Sequence, residues 1–365
     1  MVNNSGIGVY TRKYIDFLLA DNTINVGLIG KENELVPYFG LPQRWHLIEA
    51  DIPIYSVQEQ VKLPLLIPAC DLFWSPHYNI PLLPIKAKKR LVTIPDVFHL
   101  AHLGSLTIAQ RMYAKLVTNA AAWQSDKILT ISTFSEREIV RYTGIKEDKI
   151  KTIYLGLDRR LFRYIADEHI QQRVREQYQL PKRYILFVGN VKPNKNLRAL
   201  INAFAKLAGT IPDVYLLIAG KKDGFITGDS TLFAQIEQND VLKKRIVFSG
   251  YVANEDLPVL YSMASVFAFP SLYEGFGFPP LEAMACQCPV VASDRASIPE
   301  ICGDAAFYVN PTNINDLADG IQRVLTDSSC RKQLVEAGIR KVHQYDWLHS
   351  QQQFMQEVQQ LANER

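Results

Sequence analysis

The run Val266-Phe267-Ala268-Phe269-Pro270 has no polar side chain, and a strand of that composition is stable only when both of its faces are covered. It leads into Ser271-Leu272-Tyr273-Glu274-Gly275-Phe276-Gly277-Phe278-Pro279-Pro280-Leu281-Glu282-Ala283-Met284-Ala285, which passes two glycines and two prolines before a helix-forming stretch. Strand, tight turn and helix in that order make one repeat of a parallel sheet. The same alternation recurs along the chain. Candidate strands are 25–30, 45–50, 71–75, 90–95, 127–132 and 151–155 in the first half. In the second half they are 184–189, 214–220, 246–250, 266–270, 289–293 and 306–310. Two such sets predict an α/β protein of two doubly wound Rossmann-like domains.

At 365 residues the chain exceeds what one ordinary core holds, in keeping with two domains. The charged, strand-poor stretch 158–182 is the expected junction, giving domains at 1–165 and 166–344. Residues 345–365 are amphipathic, with Trp347, Phe354, Met355, Val358 and Leu361 on the apolar side. The pattern fits a helix closing the second domain and, equally, one crossing back to the first.

The net charge of +3 is small for this length and gives no support to nucleic-acid binding. The run Lys86-Ala87-Lys88-Lys89-Arg90 is locally basic. Most such runs are solvated loops; the alternative is contact with an anionic membrane surface. Five cysteines at irregular spacing suit neither a zinc knuckle nor a redox pair. Cys70, Cys286 and Cys302 are expected as small apolar fillers in a reducing, cytoplasmic setting. No apolar run is long enough to cross a bilayer, and no signal peptide is recognised before the first helical segment.

The turn after 266–270 carries the chemistry. Gly275 and Gly277 allow a ligand to approach the backbone where a β-carbon would stand. Pro279 and Pro280 fit the first helical turn without losing a needed N–H. Amides near Phe276, Phe278 and Leu281, at the positive end of a helix, then suit an anion. Glu274 and Glu282 lie eight positions apart across this turn. Paired carboxylates also suggest sugar hydrolysis, but a Gly/Pro-rich turn between them favours ligand-to-backbone contact. Lys195, shortly after the strand ending at Gly189, can act as a point charge on phosphate. Taken alone, Lys195 would be a solvated lysine and Glu282 a helix-surface glutamate. At the amino end, Gly6-Ile7-Gly8 resembles a turn that normally follows a strand, yet only Met1-Val2-Asn3-Asn4-Ser5 precedes it.

Several segments together identify a family. They are Phe187-Val188-Gly189-Asn190-Val191-Lys192-Pro193-Asn194-Lys195-Asn196-Leu197, Val247-Phe248-Ser249-Gly250-Tyr251-Val252 with Glu255-Asp256-Leu257, and the run from Pro270 to Ala285. Pro289-Val290-Val291-Ala292-Ser293 and Ser297-Ile298-Pro299-Glu300 continue the series. In this order and spacing the chain resembles the family 4 retaining glycosyltransferases of the GT-B fold, most closely bacterial mannosyltransferase-like members that build surface polysaccharide. The resemblance is thinner in the first half, at Gly6-Ile7-Gly8-Val9-Tyr10, at Asp71-Leu72-Phe73-Trp74-Ser75-Pro76-His77 and at Ser132-Thr133-Phe134-Ser135.

The resemblance implies two domains facing a cleft and a nucleotide-sugar donor, with mannose from GDP-mannose as the expected case. The acceptor would be a glycan or lipid-linked, reached from the cytoplasm; the basic run 86–90 and the apolar segment Val61-Lys62-Leu63-Pro64-Leu65-Leu66-Ile67-Pro68 are the motive for a lipid-linked acceptor and for peripheral association at the inner membrane face. Protein groups, with no metal and no cofactor, would neutralise the leaving diphosphate. Lys195 would contact phosphate, with Gly189 and Asn190 beside it. Glu274 would meet donor-sugar hydroxyls, together with backbone at Gly275, Phe276, Gly277 and Phe278. Glu282 would accept from the ribose, and backbone at Tyr251 and Val252 would meet the base. Lys221 and Lys222 would border the base pocket or lie in a solvated turn. Gly6 and Gly8 would lie beside the diphosphate. Of two further catalytic candidates, His77 would hold an acceptor hydroxyl or, equally, make a structural hydrogen bond, and Asp96 would orient a neighbouring loop or cap a turn or helix.

Two positions depart from the family pattern. Asn190 stands where an arginine is common, and Pro95 where many relatives have histidine near the reacting sugar; His99 is a weaker substitute. These departures motivate a second reading, a nucleotide-sugar-binding assembly partner of low activity. An epimerase or phosphorylase of the same fold fits less well.

Overall fold

The computed structural model describes residues 5–102, 107–190, 192–220 and 230–364. All twelve expected strands are present: β1 (Val26–Gly30), β2 (Trp45–Glu49), β3 (Cys70–Ser75), β4 (Ala87–Thr93), β5 (Lys127–Thr130), β6 (Ile150–Thr152), β7 (Tyr184–Val188), β8 (Tyr215–Ala219), β9 (Ile246–Gly250), β10 (Val266–Phe269), β11 (Val290–Ser293) and β12 (Ala306–Val309). Every strand pairing is parallel. The chain divides into two compact units, residues 1–156 with 346–365, and residues 157–345.

In the second unit the strand order is β12-β11-β10-β7-β8-β9. The first strand of the set, β7, lies in the middle, and the order reverses between β7 and β10. A doubly wound sheet leaves its crevice at such a reversal, outside the carboxyl ends of the strands. Tyr184, Ile185, Leu186 and Phe187 of β7 are all inaccessible to solvent, as are all four residues of β10. Neighbouring residues on a strand point to opposite faces, so both faces of the sheet are covered. On one face Ile185, Phe187, Leu216 and Ile218 share a core with Leu200 and Phe204 of the helix Leu197–Thr210 and with Leu317 and Ile321 of the helix Ile314–Thr326.

The first unit holds β3-β4-β5-β6 as one sheet and β1-β2 as a separate pair. The expected Rossmann-like sheet is therefore split: among the described residues no strand bonds to both β1 and β3. The helix Ser5–Ala20 contains Gly6 and Gly8 in its first turn. The carboxy-terminal helix Trp347–Asn363 packs in this unit. Phe354 stacks on Tyr14 with ring centroids 4.3 Å apart, and Tyr14 Oη lies 2.9 Å from Ser350 Oγ. Of the two alternatives for this segment, the chain takes the return to the first unit.

The junction falls at Gly156/Leu157. Residues 157–165 belong with the second unit, where Leu157 N–H donates to Tyr345 O (3.1 Å) and Ile165 N–H to Ser262 Oγ (3.0 Å). All five cysteines are free. Cys286, Cys288 and Cys302 are buried fillers whose thiols are pushed up by burial; Cys70, at the start of β3, is only half-buried.

Candidate functional site

Lys195 and Glu274 meet at the strand-order reversal. Lys195 ends the short turn Pro193–Lys195 after β7, and Glu274 lies in the loop after β10. Lys195 Nζ is 2.6 Å from Glu274 Oε1, and the ammonium lies 5.4 Å from the centre of the Phe269 ring. Both side chains are mostly shielded from solvent, at 20% and 15% exposure.

Backbone and amide bonds fasten the two loops. Leu272 N–H donates to Asn194 O (2.7 Å), and Asn194 Nδ2 donates to Tyr273 O (3.2 Å). Asn196 adopts left-handed backbone (φ 56°), and its amide donates to Pro270 O (3.2 Å) and Pro311 O (2.7 Å). Asparagine tolerates that conformation better than most residues. Ser297, fully buried, places its hydroxyl 2.8 Å from Glu274 O and 2.7 Å from Phe276 O, so one hydroxyl proton is shared between two carbonyls.

Gly277 caps the helix Phe278–Ala285 with φ at 124°, a conformation that a side chain would strain. Pro279 and Pro280 remove two of the amides that a helix start leaves open. Among the described residues the N–H groups of Phe276, Gly277 and Phe278 have no protein acceptor. The side chain of Phe276 is buried and packs edge-on against Tyr345 at 5.6 Å, so its backbone is the part left for a ligand. Leu281 is also buried, within the helix, and adds no open amide at this turn.

Glu282, on the same helix, accepts from the Tyr261 hydroxyl at 3.0 Å. Burial pushes its carboxyl from 4.5 up to about 7, while the Tyr261 hydrogen bond and the charge of Lys195 pull it down. Lys195, Glu274 and Glu282 are thus electrostatically joined. No three His, Cys, Asp or Glu residues are grouped to hold a metal ion among the described residues.

The carboxyl ends of β7, β8 and β9 extend the site as a row of glycines. Gly189 N–H donates to Ala219 O (3.0 Å) and Gly220 N–H to Gly250 O (2.9 Å). A β-carbon on Gly220 would stand 2.3 Å from Gly189 O. Asn190 is exposed beyond Gly189, Tyr251 is 63% exposed beyond Gly250, and Val252 is buried. Lys221 and Lys222 lie outside the described residues.

His77 and Asp96 are in the first unit. His77 is buried, with both ring nitrogens 3.3 Å from the Tyr55 hydroxyl, and Nδ1 faces the Asn79 N–H at 3.4 Å. Tyr78 lies between His77 and His99, with ring centroids 4.0 Å and 4.1 Å away. His99 Nε2 is 2.8 Å from Thr118 Oγ1. Burial lowers both imidazoles to about 4, so both are neutral near pH 7. Asp96 Oδ1 accepts from Phe98 N–H (3.0 Å), and Pro95 is buried and brings no donor. Tyr10, two residues after Gly8, donates to Pro76 O and so ties the first helix to this cluster.

Sequence reasoning misses Tyr55, Glu59, Asn79 and Tyr113, which buttress His77. Asn79 Nδ2 donates to Glu59 Oε2 (2.6 Å) and Tyr113 Oη to Asn79 Oδ1 (2.9 Å). No local pattern marks them, since a buried glutamate on a helix looks like any surface one. The basic run is less open than expected. It begins β4, with Lys88 paired to Asp71, Lys89 to Asp126 and Glu364, and Arg90 bonded to Pro81 O, Leu83 O and Gln124.

Three likenesses bear on the site. The chain is 30% identical over 290 residues to the serotype-specific mannosyltransferase WbdA of Escherichia coli, covering 78% of this chain and 33% of that protein. It is 35% identical over 221 residues to the O-antigen chain mannosyltransferase B of Escherichia coli, covering 60% of this chain and 57% of that one. It thus spans between a third and somewhat over half of these relatives. Among solved structures, a sucrose-phosphate synthase from Thermosynechococcus elongatus superposes with a TM-score of 0.75 at 23% identity, over 98% of this chain and 94% of the other, and so shares the fold. Residues 170–341, which hold Lys195, Glu274 and Glu282, match the family model described as glycosyl transferases group 1.

Proposed function

We propose that the protein is a retaining glycosyltransferase that moves a hexose, mannose from GDP-mannose, onto a hydroxyl of a glycan or lipid-linked acceptor in surface-polysaccharide synthesis at the cytoplasmic side of the membrane. The reading rests on one observation, the convergence of Lys195, Glu274 and Glu282 on the Gly277 turn at the strand-order reversal. The mannosyltransferase names of the relatives support the choice of sugar.

In this reading the bond between the sugar anomeric carbon and the diphosphate oxygen breaks while the acceptor oxygen bonds to the same face of that carbon. The acceptor proton passes to the departing phosphate oxygen. Negative charge grows on the diphosphate, and Lys195 with the open amides of Gly277 and Phe278 stabilises it without a metal ion. Glu274 holds sugar hydroxyls and in doing so exchanges its bond to Lys195 for bonds to the donor. Glu282 accepts from the ribose. Backbone at Gly189, Asn190, Tyr251 and Val252 borders the nucleoside. His77, neutral, offers a hydrogen bond to an acceptor hydroxyl.

Thermal shift with GDP, UDP and dTDP tests the donor assignment, since a ligand of the native state raises the midpoint. A rise with GDP that Lys195→Ala removes supports the reading. No rise with any nucleotide overturns it. Pro95, buried and without a donor, favours a second reading in which the chain binds a nucleotide sugar and transfers slowly. Binding without transfer from radiolabelled GDP-mannose, with transfer restored by Pro95→His, would select that alternative.

A further inference from the structure

The acceptor-side candidate His77 is itself covered. It is 7% exposed, whereas Tyr55, which lies against it, is 46% exposed. Asn79 N–H faces His77 Nδ1 at 3.4 Å, and a backbone N–H can only donate, so Nδ1 carries the lone pair. The ring is neutral near pH 7, which leaves its one proton on Nε2, 3.3 Å from the Tyr55 hydroxyl oxygen. The Tyr78 hydroxyl donates to the same oxygen. With both of these neighbours donating, the proton of Tyr55 is turned away from them.

The backbone of Tyr55 takes a conformation that aromatic residues rarely adopt, with φ at 60°. Left-handed backbone of this kind persists only where its surroundings enforce it, and it clusters at functional sites. Glu59 enforces it here. Tyr55 N–H donates to Glu59 Oε2 (2.6 Å), and Asn79 Nδ2 donates to the same oxygen (2.6 Å). Tyr113 Oη in turn donates to Asn79 Oδ1 (2.9 Å). Glu59 and Asn79 are both buried. Asn79 thus fixes both members of the pair, His77 through its backbone N–H and Tyr55 through Glu59.

Resting on the reading of the first unit as the acceptor side, we propose that Tyr55 is the residue that meets the acceptor, donating its phenolic hydrogen bond to a sugar hydroxyl, and that His77 is a positioning residue acting through it. The hydrogen bond that His77 offers is taken up by Tyr55 and reaches the acceptor by that route. The ligand class follows from the charges. Among the described residues, the groups bonded around Tyr55 are His77, Tyr78, Glu59, Asn79 and Tyr113, and none of them is a cation. Such a site suits the neutral hydroxyl of a sugar, whereas the phosphate of a lipid carrier would meet the buried Glu59 with no lysine or arginine to offset it. The role is binding and selection of the acceptor, since the proton released on transfer goes to the departing phosphate oxygen.

The test is binding of α-linked mannobiose to the full chain, read by saturation-transfer titration without donor present. Tyr55→Phe should weaken binding about fivefold, as loss of one neutral hydrogen bond implies, and His77→Leu about threefold. His77→Gln, which keeps a donor for the Tyr55 oxygen, should lie nearer the wild type. The double variant Tyr55→Phe with His77→Leu should bind no more weakly than Tyr55→Phe alone, because His77 acts only through the hydroxyl already removed. Calorimetry with GDP on the same samples reads the donor site in the second unit, so loss of GDP binding with mannobiose binding intact counts against the nucleotide reading alone. No binding of mannobiose to the wild type overturns the proposal. So does full affinity in Tyr55→Phe, or a double variant in which the two losses multiply, which would put His77 in direct contact with the sugar.

Discussion

Lys195 Nζ stands 2.6 Å from Glu274 Oε1, an ion pair closed by two loops that leave adjacent central strands of one sheet. Neither side chain is fully desolvated, so the pair contributes little to stability. Its value is placement, because an anionic ligand arriving here meets a lysine already held in position. Lys195→Ala should lower GDP affinity at least about tenfold, as loss of one charge-assisted bond implies. Lys195→Arg should retain part of it, and Glu274→Gln should leave GDP affinity unchanged or higher while slowing transfer. Calorimetric titration with GDP and a transfer assay check this. Equal GDP affinity in Lys195→Ala and wild type would contradict it.

Glu282 gives the second unit a pH signature. Its folded value of about 7 lies above the 4.5 of an ordinary glutamate. Between those values the unfolded chain has released its proton while the native state keeps it, so Glu282 makes stability fall as pH rises through the window. Below 4.5 and above about 7 its contribution is flat. Glu282→Gln should remove the slope and raise the melting point more at pH 8 than at pH 5. If Glu282 accepts from the ribose, GDP affinity should rise with pH through about 7 in the wild type and stay level in the variant. The same pH profile in both proteins would exclude Glu282.

His77 and His99 act with the opposite sign. Both are held neutral, at about 4 against an ordinary 6.5. From pH 6.5 down to about 4 the unfolded chain takes up protons that the native state refuses, so this contribution is lost as pH falls. All four tryptophans, Trp45, Trp74, Trp123 and Trp347, lie in the first unit, so tryptophan emission reports on that unit by itself. The urea midpoint by tryptophan emission should drop between pH 6.5 and 4.5, and His99→Gln should flatten the drop. An unchanged drop in the variant would mean that carboxylates govern acid unfolding there.

Strand positions are legible in this sequence because each strand is short, apolar and flanked by turn residues, as Val266–Phe269 illustrates. Strand edges are less legible where charges intrude. β4 begins at Ala87, inside the basic run, where Lys88 pairs with Asp71 of β3 and Lys89 with Asp126, just before β5. The chemical candidates stand out for the same local reason, as charged residues just past strand ends. The groups that hold them do not. Ser297 spans the carbonyls of Glu274 and Phe276, and Tyr261 reaches Glu282, across 21 to 23 residues of chain. Such contacts depend on where the sheet brings its ends together, and no periodicity encodes that.

Gly220 offers a test of that long-range assembly. It follows β8, and a β-carbon there would sit 2.3 Å from Gly189 O, with backbone as the obstacle. A flexible side chain could swing aside, but this carbonyl is fixed by the Gly189 N–H bond to Ala219 O. Gly220→Ala should therefore cost about 1–3 kcal/mol, the usual penalty for overpacking. It should also weaken GDP binding, because relief requires the end of β7, which bears Gly189 and Asn190, to move. Gly209 is the control. It lies in the helix Leu197–Thr210 with nothing within 4 Å of a β-carbon, so Gly209→Ala should stabilise by about 0.5–1 kcal/mol and leave GDP affinity alone. Chemical denaturation and calorimetry on the two variants decide the matter. If Gly220→Ala lost stability but kept full GDP affinity, the glycine row would be packing only, and the nucleotide would have to bind clear of β7.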